Sequence, residues 1–190
     1  MTKKREEGMD NRTKVLGGVG ALLIVLSFIP YLGLLFGLAG FILLFIALKK
    51  ASEAYKDRGI FKNFLKGFLV SFLGFLVAGI FAGFAVGAHR GGESSVLSVG
   101  FLVVAFLLFY VSTVVSVAFY RRALYSLADF TGNDLFMWAG RLFFWGGITT
   151  IIVIGSLVMW VGWVLLTVAF FTAEEKGKGE EQLIEREPRG

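Results

Sequence analysis

Long stretches without strongly ionisable side chains dominate this sequence. Residues 15–48 and 142–171 contain no Asp, Glu, Lys, Arg or His, and residues 67–120 contain them only in the short segment 89–95. A run of about 18 or more such residues is typical of a helix that crosses a membrane, because an α-helix satisfies its backbone hydrogen bonds internally. We therefore predict an all-α fold, a polytopic membrane helix bundle.

The composition agrees with this class of protein and excludes several kinds of site. The chain is 56% hydrophobic and only 17% charged, against roughly 25% charged in a soluble domain. It has no cysteine and a single histidine, His89, which excludes thiolate chemistry and a histidine-rich metal site. No glycine-rich phosphate loop or catalytic constellation is present, so we predict a protein that is not an enzyme and has no cofactor or metal.

The two uninterrupted apolar blocks are too long for one helix each. Residues 15–48 number 34 and residues 142–171 number 30, whereas about 20 to 25 residues cross the hydrocarbon core. Each block contains a candidate break: Pro30, which disfavours helix at and just before its position, and the weaker pair Gly155 and Ser156. Each block is therefore either one over-long helix or two shorter helices folded back on each other.

The distribution of Lys and Arg distinguishes these alternatives. If both blocks were single helices, the chain would have four spans, and its positive charges would divide ten to nine between the two sides. If both blocks fold back, all 19 Lys and Arg residues except Arg90 lie on one side. Because cytoplasmic loops are enriched in Lys and Arg, we predict six segments arranged as three helical hairpins, with both termini cytoplasmic at the cell membrane.

The predicted organisation is one membrane domain, residues 15–171, between a basic cytoplasmic head, residues 1–14, and a disordered cytoplasmic tail, residues 172–190. The six segments are expected at about residues 15–29, 31–48, 67–88, 97–120, 142–154 and 157–171. The first two are only about 22–27 Å long at 1.5 Å per residue, short of the ~30 Å core. They either thin the bilayer or are re-entrant wedges, and charge counting does not separate these alternatives.

The linkers between the hairpins are basic and resemble each other. A Lys-Lys-Ala motif at residues 49–51, followed by Asp57, recurs 72 positions later as Arg-Arg-Ala at residues 121–123, followed by Asp129, which indicates an internal duplication. Apolar residues at helical spacing predict short interfacial helices whose basic side chains face lipid head groups. We expect the lipid bilayer, with its anionic lipids, rather than nucleic acid to be the partner. The candidate head-group contacts are Lys49, Lys50, Lys62, Lys66, Arg121 and Arg122.

A row of glycines in the third segment marks a second candidate surface. Gly79, Gly83 and Gly87 recur at four-residue spacing, which puts them on one helix face where two helix backbones can approach closely. This face is predicted to pack within the chain, to join two copies in a homo-oligomer, or to belong to a flexible helix in a transport path.

Five short motifs along the chain combine hydrophobic and turn patterns. They are Leu16-Gly17-Gly18, Phe28-Ile29-Pro30-Tyr31-Leu32-Gly33, Ile46-Ala47-Leu48-Lys49-Lys50, Asp57-Arg58-Gly59-Ile60-Phe61 and Gly162-Trp163-Val164-Leu165-Leu166. With these motifs the chain resembles an uncharacterised family of archaeal multi-pass membrane proteins, the domain of unknown function 996. The resemblance covers roughly residues 15–172. It implies a membrane location and supplies no activity, substrate or site residues.

Two functions fit these patterns. The first is a non-enzymatic protein that organises the bilayer or binds partner proteins, which the short hairpins and the basic face indicate. The second is a small transporter or channel for a neutral or hydrophobic solute, which requires a cavity among the glycine-rich helices. Charged residues within spans mark ion and proton paths, so their absence here disfavours proton- or sodium-driven transport.

Overall fold

The chain forms a bundle of α-helices in the computed structural model, with no strand among the described residues. The described residues are 9–29, 31–91, 95–151 and 154–173. They form six helices: α1 Asn11–Leu26, α2 Gly33–Ala54, α3 Arg58–Arg90, α4 Ser95–Thr131, α5 Asp134–Thr149 and α6 Ile154–Thr172. The predicted helical bundle is confirmed, whereas the predicted head up to residue 8, Pro30 and the predicted tail from residue 174 lie outside the described residues.

Each of the two long apolar blocks contains two helices rather than one. In the first block α1 ends at Leu26 and α2 begins at Gly33, and Tyr31 between them has a left-handed backbone with φ 70°. In the last block α5 ends at Thr149 and α6 begins at Ile154. This second break precedes the predicted glycine–serine pair, which instead belongs to the first turn of α6.

Glycines bring the paired helices into backbone contact. A Cβ atom on Gly20 would lie 2.8 Å from the Leu44 amide nitrogen and 2.9 Å from the Gly40 carbonyl oxygen. A Cβ atom on Gly146 would lie 2.9 Å from the Gly155 carbonyl oxygen. Helix α1 therefore meets α2, and α5 meets α6, at a distance that leaves no room for a side chain at these positions.

The two basic linkers do not form separate interfacial helices. The residues expected to form them, such as Phe61, Lys62, Arg121 and Leu124, belong to the first turns of α3 (Arg58–Arg90) and to the last turns of α4 (Ser95–Thr131). No proline interrupts either stretch, so both helices continue beyond the predicted limits of 67–88 and 97–120. The prediction of short interfacial helices is wrong, because α3 and α4 are continuous over 33 and 37 residues.

The six helices close into a ring. Each helix packs antiparallel against the next one in the chain, and α1 also contacts α6. As a result α1, α3 and α5 begin, and α2, α4 and α6 end, at the same end of the bundle. We refer to this end, which holds residues 9–14, 49–66, 120–141 and 166–173, as the linker end.

The packed core lies at the linker end. Phe64, Phe136 and Phe170 are almost fully buried there, and the rings of Phe136 and Phe170 meet edge to face with centroids 5.1 Å apart. Phe143 and Trp163 pack in the same cluster with centroids 4.8 Å apart. The inside of the ring at this level is therefore filled with aromatic side chains.

Helices α3 and α4 continue past the ends of the other four helices. The rings of Phe41 and Phe68 pair across α2 and α3, and α2 begins eight residues before Phe41, so α2 starts level with about residue 76 of α3. The Tyr110 hydroxyl donates to the Ile148 carbonyl at 2.9 Å, next to the end of α5. A Cβ atom on Gly147 would lie 2.6 Å from the Val117 side chain, so α5, which ends two residues later, stops level with about residue 115 of α4.

We refer to residues 77–90 and 95–109 as the α3–α4 extension. It reaches about 21 Å beyond the other helices at 1.5 Å per residue. Within it α3 and α4 pack against each other, for example through the Phe84 and Phe101 rings with centroids 5.8 Å apart. Its outer surface is apolar and exposed, which suits contact with lipid.

Four helices in the described part of the chain are long and apolar enough to cross a membrane: α2, α3, α4 and α6. Helices α1 and α5 have only 16 residues each, about 24 Å at 1.5 Å per residue. They are too short to cross a ~30 Å hydrocarbon core. The chain is therefore a multi-pass membrane protein whose helices differ widely in length.

Candidate functional site

Three helices begin at the linker end with a side-chain cap. Asp10 accepts a hydrogen bond from the Thr13 amide at 2.6 Å, which holds the pKa of the Asp10 carboxyl below its usual value. Asp57 caps α3 and Asn133 caps α5, each accepting from the amide two residues later, at 2.7 and 3.0 Å. Such caps satisfy amides that the first turn of a helix leaves free.

The two linkers reverse the chain direction in the same way. Lys56 and Gly132 each precede an N-cap and have left-handed φ values of 53° and 67°. The sequence motif pairs Asp57 with Asp129, but Asp129 lies within α4, and the residue with the role of Asp57 is Asn133. The caps are therefore 76 rather than 72 positions apart, because α4 continues past the acid. The internal duplication itself stays a prediction.

Asn133 also joins the second linker to the last helix. Its Nδ2 atom donates to the Ala169 carbonyl at 3.2 Å and to the Thr172 hydroxyl at 3.1 Å. One side chain thus caps α5 and satisfies a carbonyl near the end of α6. The two linkers are joined as well, because the Tyr55 and Phe130 rings stack with centroids 5.2 Å apart.

Replacing Asn133 with alanine is expected to lower the free energy of unfolding by about 1–2 kcal/mol, because the cap and both amide donations are lost. Asn11→Ala is the matched control, since Asn11 is exposed in the first turn of α1 and surface substitutions change stability by less than about 0.5 kcal/mol. Unfolding in mixed detergent micelles, followed by circular dichroism, measures both variants. Equal stability of the two would contradict this role of Asn133.

The six basic residues predicted to contact lipid head groups all lie at the linker end, where they form three separate groups. Lys66 and Arg122 share one ring, since the Lys66 ammonium is 5.8 Å and the Arg122 guanidinium 5.9 Å from the centroid of Phe119. Arg121 lies in a separate cluster with residues of α5. The remaining three are exposed on α2 and α3: Lys49, Lys50 and Lys62.

Arg121 lies beside a second arginine that the sequence patterns did not identify. Its guanidinium carbon is 4.9 Å from the ring centroids of both Tyr125 and Phe144. Arg141 of α5 donates from Nε to the Tyr125 hydroxyl at 3.4 Å, and its guanidinium is 4.9 Å from the Trp138 ring centroid. Only the spacing of Trp138 and Arg141, three residues apart on one helix face, signals this cluster in the sequence.

The glycine row on α3 does not pack within the described part of the chain. No atom lies within 4 Å of a Cβ built on Gly79, Gly83 or Gly87. The row belongs to the α3–α4 extension, past the end of α2, so no other helix is available to cover it. The interpretation as an intramolecular packing face is therefore wrong for the described residues, and a contact between two copies stays a prediction.

Two of the three turns away from the linker end are apolar. Phe28 and Tyr31 between α1 and α2 are 68% and 102% exposed, and Ile151 between α5 and α6 is 56% exposed. At the tip of the α3–α4 extension, the turn instead follows His89 and Arg90. Of the three, only this turn directly follows a charged side chain, that of Arg90.

Hydroxyl groups satisfy the backbone next to both apolar turns. The Ser27 hydroxyl donates to the Ile24 carbonyl at 2.7 Å, and the Thr150 hydroxyl donates to the Gly146 carbonyl at 2.6 Å. Thr149 does the same one residue earlier, at 2.8 Å. The carbonyl groups that a helix end leaves free are thus partly satisfied without water, as hydrocarbon surroundings require.

An apolar groove of about 590 Å³ lies between the two apolar turns. Leu26 and Phe28 form one wall, and Leu157 and Trp160 of α6 form the other. The groove is therefore open at the level where α1–α2 and α5–α6 reverse direction.

The linker end carries Lys and Arg side chains and aromatic rings, together with five carboxylates: Asp10, Glu53, Asp57, Asp129 and Asp134. Among the residues that the structure describes, no three His, Cys, Asp or Glu side chains come together in a group that could hold a metal ion. Guanidinium groups bind carboxylate and phosphate oxygens through paired, charge-assisted hydrogen bonds. Chemically, this surface is suited to contact with anionic groups.

Comparison with known proteins identifies the family. Residues 36–164 match the model of a family described as Protein of unknown function (DUF996). The chain is 30% identical over 173 residues to an uncharacterized protein of Methanocaldococcus jannaschii, which covers 88% of this chain and 94% of that protein. No solved structure matches the chain. The resemblance inferred from the sequence motifs is thus confirmed, and the chain belongs to the DUF996 family of proteins of unknown function.

Proposed function

We propose that this protein is a non-enzymatic organiser of the bilayer that acts as a wedge in one leaflet. In this proposal α3 and α4 cross the membrane completely, whereas α1–α2 and α5–α6 enter from the linker end and turn back inside it. The observation that carries the proposal is the apolar character of the two short turns, which lie part-way along α3 and α4.

The lengths of the helices support this arrangement. From Lys66 to Arg90 the axis of α3 rises about 36 Å, enough to cross a ~30 Å hydrocarbon core. Helix α2 starts level with about residue 76 of α3, only about 15 Å from Lys66. The turn between α1 and α2 therefore lies about half-way through the core, and the turn between α5 and α6 lies at the corresponding level of α4.

The composition of the turns supports the same depth. If α1–α2 and α5–α6 crossed completely, exposed side chains such as Phe28, Tyr31 and Ile151 would face water. Keeping one large apolar side chain out of water is favourable by about 1.5–3 kcal/mol. A wedge keeps these side chains in hydrocarbon, whereas His89 and Arg90 reach the opposite membrane surface.

The distribution of charge supports one orientation of the wedge. All Lys and Arg residues except Arg90 belong to the head, the linkers and the tail, so the positive-inside rule favours a cytoplasmic linker end with both termini. Lys49, Lys50 and Lys62 then lie near the head groups, where each basic residue contributes about 1 kcal/mol of attraction to an anionic surface.

A wedge of this kind has a mechanical consequence. Four helices, α1, α2, α5 and α6, take up area in the leaflet at the linker end, and only α3 and α4 take up area in the other leaflet. This asymmetry favours a membrane that is convex on the side of the linker end. The groove between the two apolar turns opens at the level of the acyl chains.

A transporter or channel for a neutral solute receives less support. Such a protein requires a continuous path through the ring of helices. At and next to the linker end, aromatic side chains such as Phe143, Trp163 and Phe170 fill that space. The observations on the described residues therefore favour the wedge.

Reconstitution of the full chain into liposomes tests the proposal. We expect the wild-type protein to convert large vesicles into small or tubular ones, observed by cryo-electron microscopy, because it expands one leaflet. The double variant Tyr31→Asp, Ile151→Asp is expected to lose this effect, because a carboxylate in each turn opposes insertion into hydrocarbon. His89→Asp is the control, since His89 lies at the tip of the α3–α4 extension. Vesicles of unchanged shape with inserted wild-type protein would contradict the proposal.

A further inference from the structure

Two arginines from different helices converge on one phenol ring. The Arg121 guanidinium of α4 lies over the face of Tyr125, 4.9 Å from the ring centroid. Arg141 of α5 approaches the hydroxyl of the same ring, with Nε 3.4 Å from the oxygen. The contact of α4 with α5 therefore brings two full positive charges to opposite parts of a single side chain.

Among the described residues of α4 and α5, the nearest carboxylates in sequence lie about two helical turns from this pair of like charges. Asp129 is eight residues after Arg121 on α4, and Asp134 is seven residues before Arg141 on α5. Along the helix axes these separations of the backbone correspond to about 10–12 Å. Two cations held together repel each other, so an external anion is favoured at this place.

Aromatic contacts hold both guanidinium groups in position. Arg121 lies between the rings of Tyr125 and Phe144, each 4.9 Å from its guanidinium carbon. Arg141 lies 4.9 Å from the Trp138 ring centroid. Tyr125 itself lies close against Gly140, where a Cβ atom would be 3.3 Å from the ring. Groups that are already ordered lose less conformational entropy when they bind a ligand.

We propose that Arg121 and Arg141 together bind the phosphate of an anionic lipid head group. Guanidinium groups form two parallel hydrogen bonds to phosphate oxygens, and both arginines lie at the linker end, where the charge-free part of α4 ends. Trp138 is 51% exposed beside them, as is typical of tryptophan at a membrane interface. This inference rests on the proposed function only in requiring the linker end to lie at head-group level.

Arg122 provides a matched comparison on the same helix. It is exposed, adjacent in sequence to Arg121, and 5.9 Å from a single ring, that of Phe119, which it shares with Lys66. Arg122 therefore contributes a positive charge near the membrane surface, rather than a guanidinium group held in position for paired hydrogen bonds. An arginine-to-lysine change keeps the charge and removes the paired hydrogen bonds, so the same substitution should have different effects at the two sites.

Lipid-dependent thermal unfolding of the full chain in detergent tests this inference. The added compounds are phosphatidylglycerol, phosphatidylcholine and inorganic phosphate. For wild type and for Arg122→Lys we expect phosphatidylglycerol to raise the Tm, with phosphatidylcholine and inorganic phosphate giving little change. For Arg121→Lys and Arg141→Lys we expect an apparent affinity for phosphatidylglycerol about tenfold weaker, which corresponds to about 1.4 kcal/mol.

Several outcomes would overturn the assignment. Equal phosphatidylglycerol affinity in all three lysine variants would exclude a specific role for the pair. An equal Tm rise with inorganic phosphate would assign the site to free phosphate instead of lipid. If a lysine variant is less stable without lipid, the amount of phosphatidylglycerol retained by the folded protein, counted by native mass spectrometry, replaces the Tm as the readout. Reshaped vesicles without any lipid preference would leave the wedge intact and reject this inference alone.

Discussion

Replacing Gly20 with alanine is expected to lower the free energy of unfolding by about 1–3 kcal/mol, the usual effect of overpacking a tight site. The added methyl carbon would lie 2.8 Å from the Leu44 amide nitrogen and 2.9 Å from the Gly40 carbonyl oxygen. Both neighbours are backbone atoms, so no rotamer change relieves the overlap and α1 has to move away from α2. The pairing of these two helices forms one half of the proposed wedge.

Gly83→Ala is the matched control for this experiment. Both positions lie in the interior of a helix, and the chemical change is identical, but nothing lies within 4 Å of a Cβ at Gly83. Because alanine is the better helix former, we expect Gly83→Ala to be neutral or up to about 1 kcal/mol more stable than wild type. Unfolding in mixed micelles measures both variants. A loss of stability at Gly83 comparable to that at Gly20 would show that a partner covers the exposed glycine row.

Single cysteines in the three turns are expected to differ sharply in their labelling from outside the membrane. The chain contains no cysteine, so each introduced thiol is the only one to react. With a membrane-impermeant maleimide, Gly91→Cys should be labelled from the side opposite the linker end. Tyr31→Cys and Ile151→Cys should remain unlabelled from both sides, because a wedge holds both turns inside hydrocarbon, where the reagent and the thiolate are absent. Lys50→Cys should react from the linker side only.

Detergent provides the control for the protected positions. Tyr31 is fully exposed on the protein surface, so Tyr31→Cys should react rapidly once the bilayer is dissolved. Protection in intact membranes then has to come from lipid rather than from protein. Labelling of Tyr31→Cys from outside at the rate of Gly91→Cys would demonstrate that α1 and α2 cross the membrane, and the wedge would be rejected.

Local features of the sequence were sufficient to predict six apolar helices, but not the full lengths of α3 and α4. The charge-free blocks identify the membrane segments, because burial in hydrocarbon is decided residue by residue along a helix. Counting Lys and Arg indicated that residues 15–48 and 142–171 each fold back, and each of these blocks contains parts of two helices. The position of the second break was less accurate, because Thr150 ends α5 without a proline, and glycine at residue 155 serves the contact with α5 instead.

Which side chains meet across helices was not readable from the sequence. Gly79, Gly83 and Gly87 have the spacing of a packing face, yet they lie where α3 has no neighbour other than α4. The glycines that do bring backbones together are Gly20 and Gly40, and Gly40 follows Gly33 and Gly37 in a shorter row at spacings of four and three. The two sets of glycines differ in packing because a contact depends on the axial offset between two helices. No single segment of the sequence specifies that offset.

The candidate anion site at Arg121 and Arg141 likewise combines one feature that the sequence predicts with another that only the structure shows. The sequence indicated a basic linker surface that includes Arg121 and Arg122, and both lie at the linker end. It did not indicate that Arg121 is paired with Arg141, because that pairing requires α5 to pack beside the last turns of α4. Nor did it indicate that Asn133 rather than Asp129 takes the role of Asp57, since the N-cap depends on where α4 ends.

The sequence by itself therefore determined that this protein is a helical membrane protein of the DUF996 family with its positive charges concentrated in the linkers and ends. Hydropathy, charge and short motifs suffice for this, because each is a property of a segment and its surroundings. Only the tertiary structure decided that α3 and α4 extend about 21 Å beyond the other helices and that two arginines share one tyrosine. Both features depend on the axial offset at which each helix packs against its neighbour. That offset is a property of pairs of segments.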